Sequence, residues 1–158
     1  MLWKLRMTSL TLAAIVFGVV LGGATLGSVT TAFIDNSNNS IIDDMWSWRA
    51  DHGAGGGVWT SDQADTGVVV NGSNVTAYGL VSEHYQKDEV DWNGQGGTVL
   101  FFQNENPYEV PSQDVWKASA TQNGYPAFTV GPKVTTFQGY GMGSYSFFNQ
   151  GVDIENST

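Results

Sequence analysis

Three ten-residue segments of this chain fit one frame, and a repeat of that kind leaves few folds open. Asn39–Trp48 (NSIIDDMWSW), Asn74–Glu83 (NVTAYGLVSE) and Gly96–Glu105 (GGTVLFFQNE) align without a gap, at intervals of 35 and then 22 residues. Successive coils of a parallel β-helix produce a loose repeat of this size. Each coil contributes short strands that pair with the coils above and below, and irregular insertions leave as loops. From Gly27 onward there is no convincing amphipathic helix. Short apolar runs such as TTAFI, TGVVV, GTVLFF and AFTV alternate with turn clusters, and Asn-Gly stands at 71–72, 93–94 and 123–124. The pattern is all-β. An antiparallel sandwich with Asn-Gly hairpins is the competing architecture, and the repeated frame favours the solenoid.

The frame puts Glu83 and Glu105 at equivalent positions on neighbouring coils. Adjacent strands lie about 4.8 Å apart. Two carboxyl groups that close resist ionising together, so one is expected to keep its proton. A carboxylic acid still protonated near neutral pH is what a glycosidase uses to protonate a leaving oxygen. The plainer alternative is that one glutamate is a solvated strand-end charge and the other binds a backbone N–H.

Charge narrows the function classes. Fifteen Asp and Glu stand against six Lys and Arg, a net charge of −9, and no basic cluster occurs. Phosphate contacts need Lys and Arg, so nucleic acid is not an expected partner, nor is an anionic membrane surface. Aromatic residues make up 13% of the chain, which argues against disorder. The absence of cysteine removes disulfides, thiolate metal sites and a cysteine nucleophile.

At the N-terminus, Lys4 and Arg6 precede a run without charge from Met7 to Ile34. Residues 1–26 are expected to be a secretory signal peptide, with residues 27–158 forming the β-helical domain. A membrane anchor is the competing reading, since the run is long enough to span a bilayer; membrane association is expected only if the segment stays uncleaved. A third reading makes GGATLGSVTTAF a buried strand. Four N-x-S/T triplets, at Asn38, Asn71, Asn74 and Asn156, add some support for export and an extracellular location.

Three further segments, WSWRADHG (46–53), SEHYQK (82–87) and FFQNENPYEVPSQDVW (101–116), occur in order. Together they resemble glycoside hydrolase family 55, the family of exo- and endo-β-1,3-glucanases. They resemble above all its relatives that carry names such as "adenylyl cyclase" or "coagulation factor 5/8 type domain protein". Nothing in these residues supports cyclase chemistry. The resemblance covers about residues 22–158. It implies a right-handed parallel β-helix and inverting hydrolysis of β-1,3-glucan, with no cofactor. In that family the general acid is the glutamate of a Q-T-E-T-P-Y-like segment. Gln103-Asn104-Glu105-Asn106-Pro107-Tyr108 stands in its place, which implies Glu105 as the acid. A second glutamate precedes a histidine, and Glu83-His84 matches it. Asn104 and Asn106 replace the threonines flanking the acid. Complete members are several times longer, which implies that this chain corresponds to part of the C-terminal β-helix. A carbohydrate-binding fragment without catalysis is therefore the alternative function.

The remaining clusters are weighed against this reading. Of Trp46, Trp48, Trp59, Trp92, Tyr108 and Trp116, Trp92 and Tyr108 are the first candidates for stacking on sugar because they lie near the glutamates in sequence. Gln103 is expected to help Glu83 position water or sugar. His84 could orient Glu83 or contact sugar, or be a buried histidine satisfied by backbone. Arg49 is a candidate for holding a sugar hydroxyl or carboxylate, and the alternative is an Arg49–Asp51 pair that pins a loop. No metal site is expected. DNSNNSIIDD (35–44) lacks the glycine and glutamate of a helix–loop–helix calcium site and reads as a turn of the β-helix. Two histidines 32 residues apart make no recognisable zinc motif. GAGGGVW (53–59) has no phosphate-loop lysine, and no G-x-S-x-G occurs.

Overall fold

The computed structural model describes residues 29–52 and 58–157. The expected leader (1–26) and most of the Gly-rich 53–59 segment lie outside the described residues. The strands are β1 (Val29–Asp35), β2 (Ile41–Asp43), β3 (Trp46–Trp48), β4 (Ala64–Val70), β5 (Thr76–Glu83) and β6 (Val90–Trp92). After them come β7 (Gly97–Glu105), β8 (Lys117–Ser119), β9 (Gln122–Asn123), β10 (Phe128–Val130) and β11 (Phe137–Tyr145). Among the described residues the helical content is one 3-10 turn, Gln113–Val115, and no helix is long and apolar enough to cross a membrane.

The chain alternates between two parallel sheets. One has the order β1-β4-β6-β10, the other β11-β7-β5-β2, with β3 also on β5. The pairs between these strands are parallel, which is consistent with a β-helix. The antiparallel pairing among the described residues is the small β8–β9 ribbon. The register follows the sequence frame: Ile41 lies opposite Thr76, and Thr76 opposite Thr98. The Asn-Gly sites at 71–72 and 93–94 are therefore stacked turns between coils rather than hairpins. Their asparagines form a ladder, with Asn93 Nδ2 donating to Asn71 Oδ1 (3.1 Å) and Asn71 Nδ2 to Asn36 Oδ1 (2.8 Å).

The core lies between the sheets, where Val68, Val70, Val75, Ala77, Leu80, Val90, Val99 and Phe102 are buried. Trp92 is buried among them, stacked on Phe128 at 6.0 Å and edge-on to Phe137 at 5.5 Å. It was expected at a sugar cleft. The alternation of β6, with Val90 and Trp92 inward and Asp91 outward, puts it in the core instead.

A column of left-handed residues runs through the sheet of β2, β3, β5, β7 and β11. Asp44 (φ 47°), Gly79 (φ 60°), Phe101 (φ 67°) and Gly141 (φ 64°) occupy the same place on four successive coils. At Gly79 the absence of a side chain removes the penalty of this conformation. At Phe101 the penalty is about 1–2 kcal/mol. The kink shifts the alternation by one. Ala77 points inward, and strict alternation would send Val81 and Glu83 inward with it. Past the kink, Leu80 and Ser82 are the inward pair. On the next coil Val99 is inward before the kink, and Phe102 and Asn104 after it. A bulge of this kind re-aims side chains. Here it turns Glu83 and Glu105 away from the core.

Candidate active site

Four coils supply the outward column after the kink. Trp48 lies opposite Glu83, and Tyr145 opposite Glu105. The 22-residue offset that pairs Val81 with Gln103 continues to Glu83 beside Glu105, where the His84 N–H bonds the Glu105 carbonyl at 2.7 Å. Glu83 and Glu105 open into one cavity of about 300 Å³, lined also by Trp46, Trp48, His52, His84 and Tyr108.

The two carboxyl groups meet different partners. Glu83 is nearly buried. It accepts from the Trp46 indole N–H at 2.8 Å on one oxygen and from the Gln103 amide at 3.2 Å on the other. Glu105 is more open, with 29% of its side chain exposed. The Tyr108 hydroxyl donates to its Oε2, and His84 Nε2 lies 3.7 Å from that oxygen. Burial, with the Glu105 carboxylate alongside, raises the Tyr108 phenol and keeps its proton on. One glutamate is thus fixed by two donors, and the other faces the cavity with part of its surface free. That asymmetry suits two carboxyl groups with separate tasks.

Behind this pair lies a column of buried polar residues: Arg49, His84 and Asn106. Arg49 does not reach the cavity and does not pair with Asp51. Its guanidinium donates to the Glu109 carboxylate, to the His84 carbonyl oxygen and, at 2.7 Å, to the Asp62 carbonyl oxygen. The cause is its position: Arg49 follows β3 one residue beyond outward-facing Trp48, so it turns inward, where the carboxylate in reach is Glu109. Burial raises the Glu109 carboxyl, and the Arg49 charge opposes that rise.

Asp51 sits deeper still. One oxygen accepts from His52 Nδ1 at 2.5 Å, and the other from His84 Nδ1 and the Tyr108 backbone N–H, both at 3.0 Å. Burial works to raise this carboxyl, but the hydrogen bonds from His84, Tyr108 and His52 outweigh it and hold Asp51 at about 2. Ligand atoms of Asp51, His52 and His84 lie within 4.8 Å of one another, but they are taken up by contacts with one another, with the Tyr108 N–H and with the Asn106 carbonyl oxygen, so the cluster is a hydrogen-bonded knot and not a set of free metal ligands.

Of the residues expected from sequence, Glu83, Glu105, His84 and Tyr108 line the cavity and Gln103 braces Glu83, whereas Trp92 and Arg49 stand elsewhere. The aromatic walls are Trp46 and Trp48, whose rings lie 6.3 Å apart, and His52, stacked on Tyr108 at 5.6 Å. A signal for the tryptophans was present: the repeat frame sets Trp48 in the column of the two glutamates and Trp46 in the column of Gln103. Asp51 and His52 carry no such signal, because they follow the strand on an irregular segment.

Comparison with known proteins places this geometry in context. A family model described as the LAM55 pectate lyase-like domain matches residues 7–105. The chain is 49% identical over 140 residues to an exo-beta-1,3-glucanase of Streptomyces sp. (strain SirexAA-E / ActE), an alignment that takes in 86% of this chain and 22% of that protein. The chain therefore spans about a fifth of the length of this curated relative. Among solved structures it is similar to sacteLam55A from Streptomyces sp. SirexAA-E, with a TM-score of 0.76 and 46% identity, over 82% of this chain and 23% of that one. A variant of sacteLam55A in complex with glucose matches with a TM-score of 0.74.

Proposed function

The chain belongs to the LAM55 pectate lyase-like domain family, and on that premise we propose that it acts on β-1,3-glucan, with Glu105 as the general acid. The observation that carries this reading is the pair of glutamates on adjacent coils, turned outward into one aromatic-walled cavity. Glu105 protonates the glycosidic oxygen as the bond to the anomeric carbon breaks. Glu83, fixed by Trp46 and Gln103, positions the attacking water and takes its proton. Trp46, Trp48 and Tyr108 offer flat apolar faces on which pyranose rings stack. We take the solenoid to be right-handed, the hand that strand crossovers favour. We further propose that residues 1–26 direct export, a reading supported by their basic start and uncharged run.

A second reading has its own support. The chain matches about a fifth of a glucanase's length, so part of a complete cleft can lie in other sequence. In that case this domain binds glucan without cleaving it. Incubation with laminarin distinguishes the two. Release of reducing sugar by the parent chain, lost in Glu105→Gln, supports catalysis. Retention on insoluble glucan without release of sugar supports the binding module. Equal hydrolysis by the parent and Glu105→Gln refutes the role given to Glu105.

A further inference from the structure

We propose that Asp51 is a positioning residue: it locks His84 in the tautomer whose proton sits on Nδ1, so that the bare Nε2 faces Glu105. The proposal rests on the glucanase reading above and deepens it. Asp51 and His84 are each about 1% exposed. His84 Nδ1 lies 3.0 Å from Asp51 Oδ2 and 3.2 Å from the Asn106 carbonyl oxygen. An ionised carboxylate and a carbonyl oxygen can only accept, so the nitrogen between them must carry the hydrogen. In a neutral imidazole the other nitrogen is then an acceptor. That nitrogen, Nε2, is the one 3.7 Å from Glu105 Oε2.

The backbone supports the same reading. His84 holds a left-handed conformation, φ 68°, without being glycine. Its N–H bonds the Glu105 carbonyl at 2.7 Å, and the Arg49 guanidinium holds its own carbonyl oxygen. Strained residues fixed from several sides cluster at functional sites, where the strain serves pre-organisation.

An acceptor beside the acid suits an acid that must hold its proton. With Nε2 bare, the Glu105 O–H has a partner across a gap of a kind that commonly tightens when substrate binds. With the proton on Nε2, the imidazole would instead donate to the ionised carboxylate and favour the spent form. After Glu105 has given up its proton, the Tyr108 hydroxyl remains as a donor to the carboxylate.

The test is nitrogen NMR on the full chain carrying 15N-labelled histidine. Two histidines are present, and a His52→Gln variant assigns them. The expected spectrum near neutral pH shows His84 with a protonated Nδ1 and an unprotonated Nε2, and Asp51→Asn loses that state. A proton on Nε2, a doubly protonated His84 at neutral pH, or a folded Asp51→Asn chain with an unchanged spectrum overturns the proposal. The parent spectrum alone decides the tautomer, so a variant that fails to fold leaves the test standing. A second arm compares substrates. Asp51→Asn is expected to lose about 10²-fold on laminarin but no more than about threefold on a dinitrophenyl β-glucoside, whose leaving group needs no proton. Equal losses on both also overturn the proposal. A parent chain that cleaves neither substrate refutes the glucanase reading, while the tautomer measurement still judges the role of Asp51.

Discussion

Replacing Arg49 by Met should cost more stability than any exposed change in the cavity, although Arg49 does not line it. Its guanidinium and the Glu109 carboxylate are both buried, with 3% and 2% of their side chains exposed. The same guanidinium also holds the His84 and Asp62 carbonyl oxygens. Removing one partner of a buried ion pair leaves the other charge uncompensated, at a cost of about 3–5 kcal/mol. Here the loss is aggravated because Glu109 Oε2 has no hydrogen-bond partner among the described residues. A domain of this kind is stable by about 5–15 kcal/mol in all. With a loss of about 4 kcal/mol and a urea slope of about 2 kcal/mol per molar, the unfolding midpoint should fall by about 2 M. Equilibrium urea unfolding of the parent, Arg49→Met and Arg49→Met/Glu109→Leu measures this directly. The double variant should recover most of the loss, because well-packed apolar replacement of a buried pair is commonly neutral or better. A single variant that loses less than about 1 kcal/mol, or a double variant no more stable than the single, would refute the reasoning.

The remaining predictions concern pH and the two kinds of tryptophan. Asp51 is lowered in the fold from 3.8 to about 2, so its contribution is present above pH 3.8 and is lost as pH falls through about 2; Asp51→Asn should flatten the acid limb of the melting temperature against pH. Asp91 is raised from 3.8 to about 6 by burial and by Asp88. Its contribution runs the other way: full below pH 3.8, lost as pH rises through about 6, with Asp91→Asn removing that slope. Trp48→Ala should raise KM for laminarin several-fold at an unchanged melting temperature, since Trp48 stands on the cavity wall at 36% exposure. Trp92→Ala should destabilise by about 3–5 kcal/mol, and any surviving folded fraction should keep the parent KM.

The repeat frame made the parallel register legible, because a coil that returns to the same place must present the same residue classes there. Ile41, Thr76 and Thr98 share one position in the sequence frame and one position in the sheet. The fourth coil escaped the frame: Phe137 to Tyr145 pairs with β7, but its Gly, Met and Ser pattern carries no periodic apolar signal. The kink column was also hidden. Asp44, Gly79, Phe101 and Gly141 share a backbone conformation and almost no chemistry, and sequence reports a left-handed position reliably only where glycine fills it. Nearness in sequence misled at Trp92. Closeness to the glutamates along the chain says nothing about which sheet a residue joins, and β6 belongs to the sheet away from the cavity. Arg49 misled for a related reason. An arginine next to outward-facing tryptophans looks accessible until alternation turns it inward.

The central claim is that the outward glutamates on adjacent coils grip a glycosidic bond. The most direct measurement is a crystal structure of Glu105→Gln soaked with a laminari-oligosaccharide. The account predicts a glycosidic oxygen within hydrogen-bond reach of the substituted side chain, about 2.6–3.2 Å, with a sugar ring stacked on Trp48 or Tyr108 and a water held by Glu83. Sugar bound on another face of the solenoid, with that cavity empty, would contradict it.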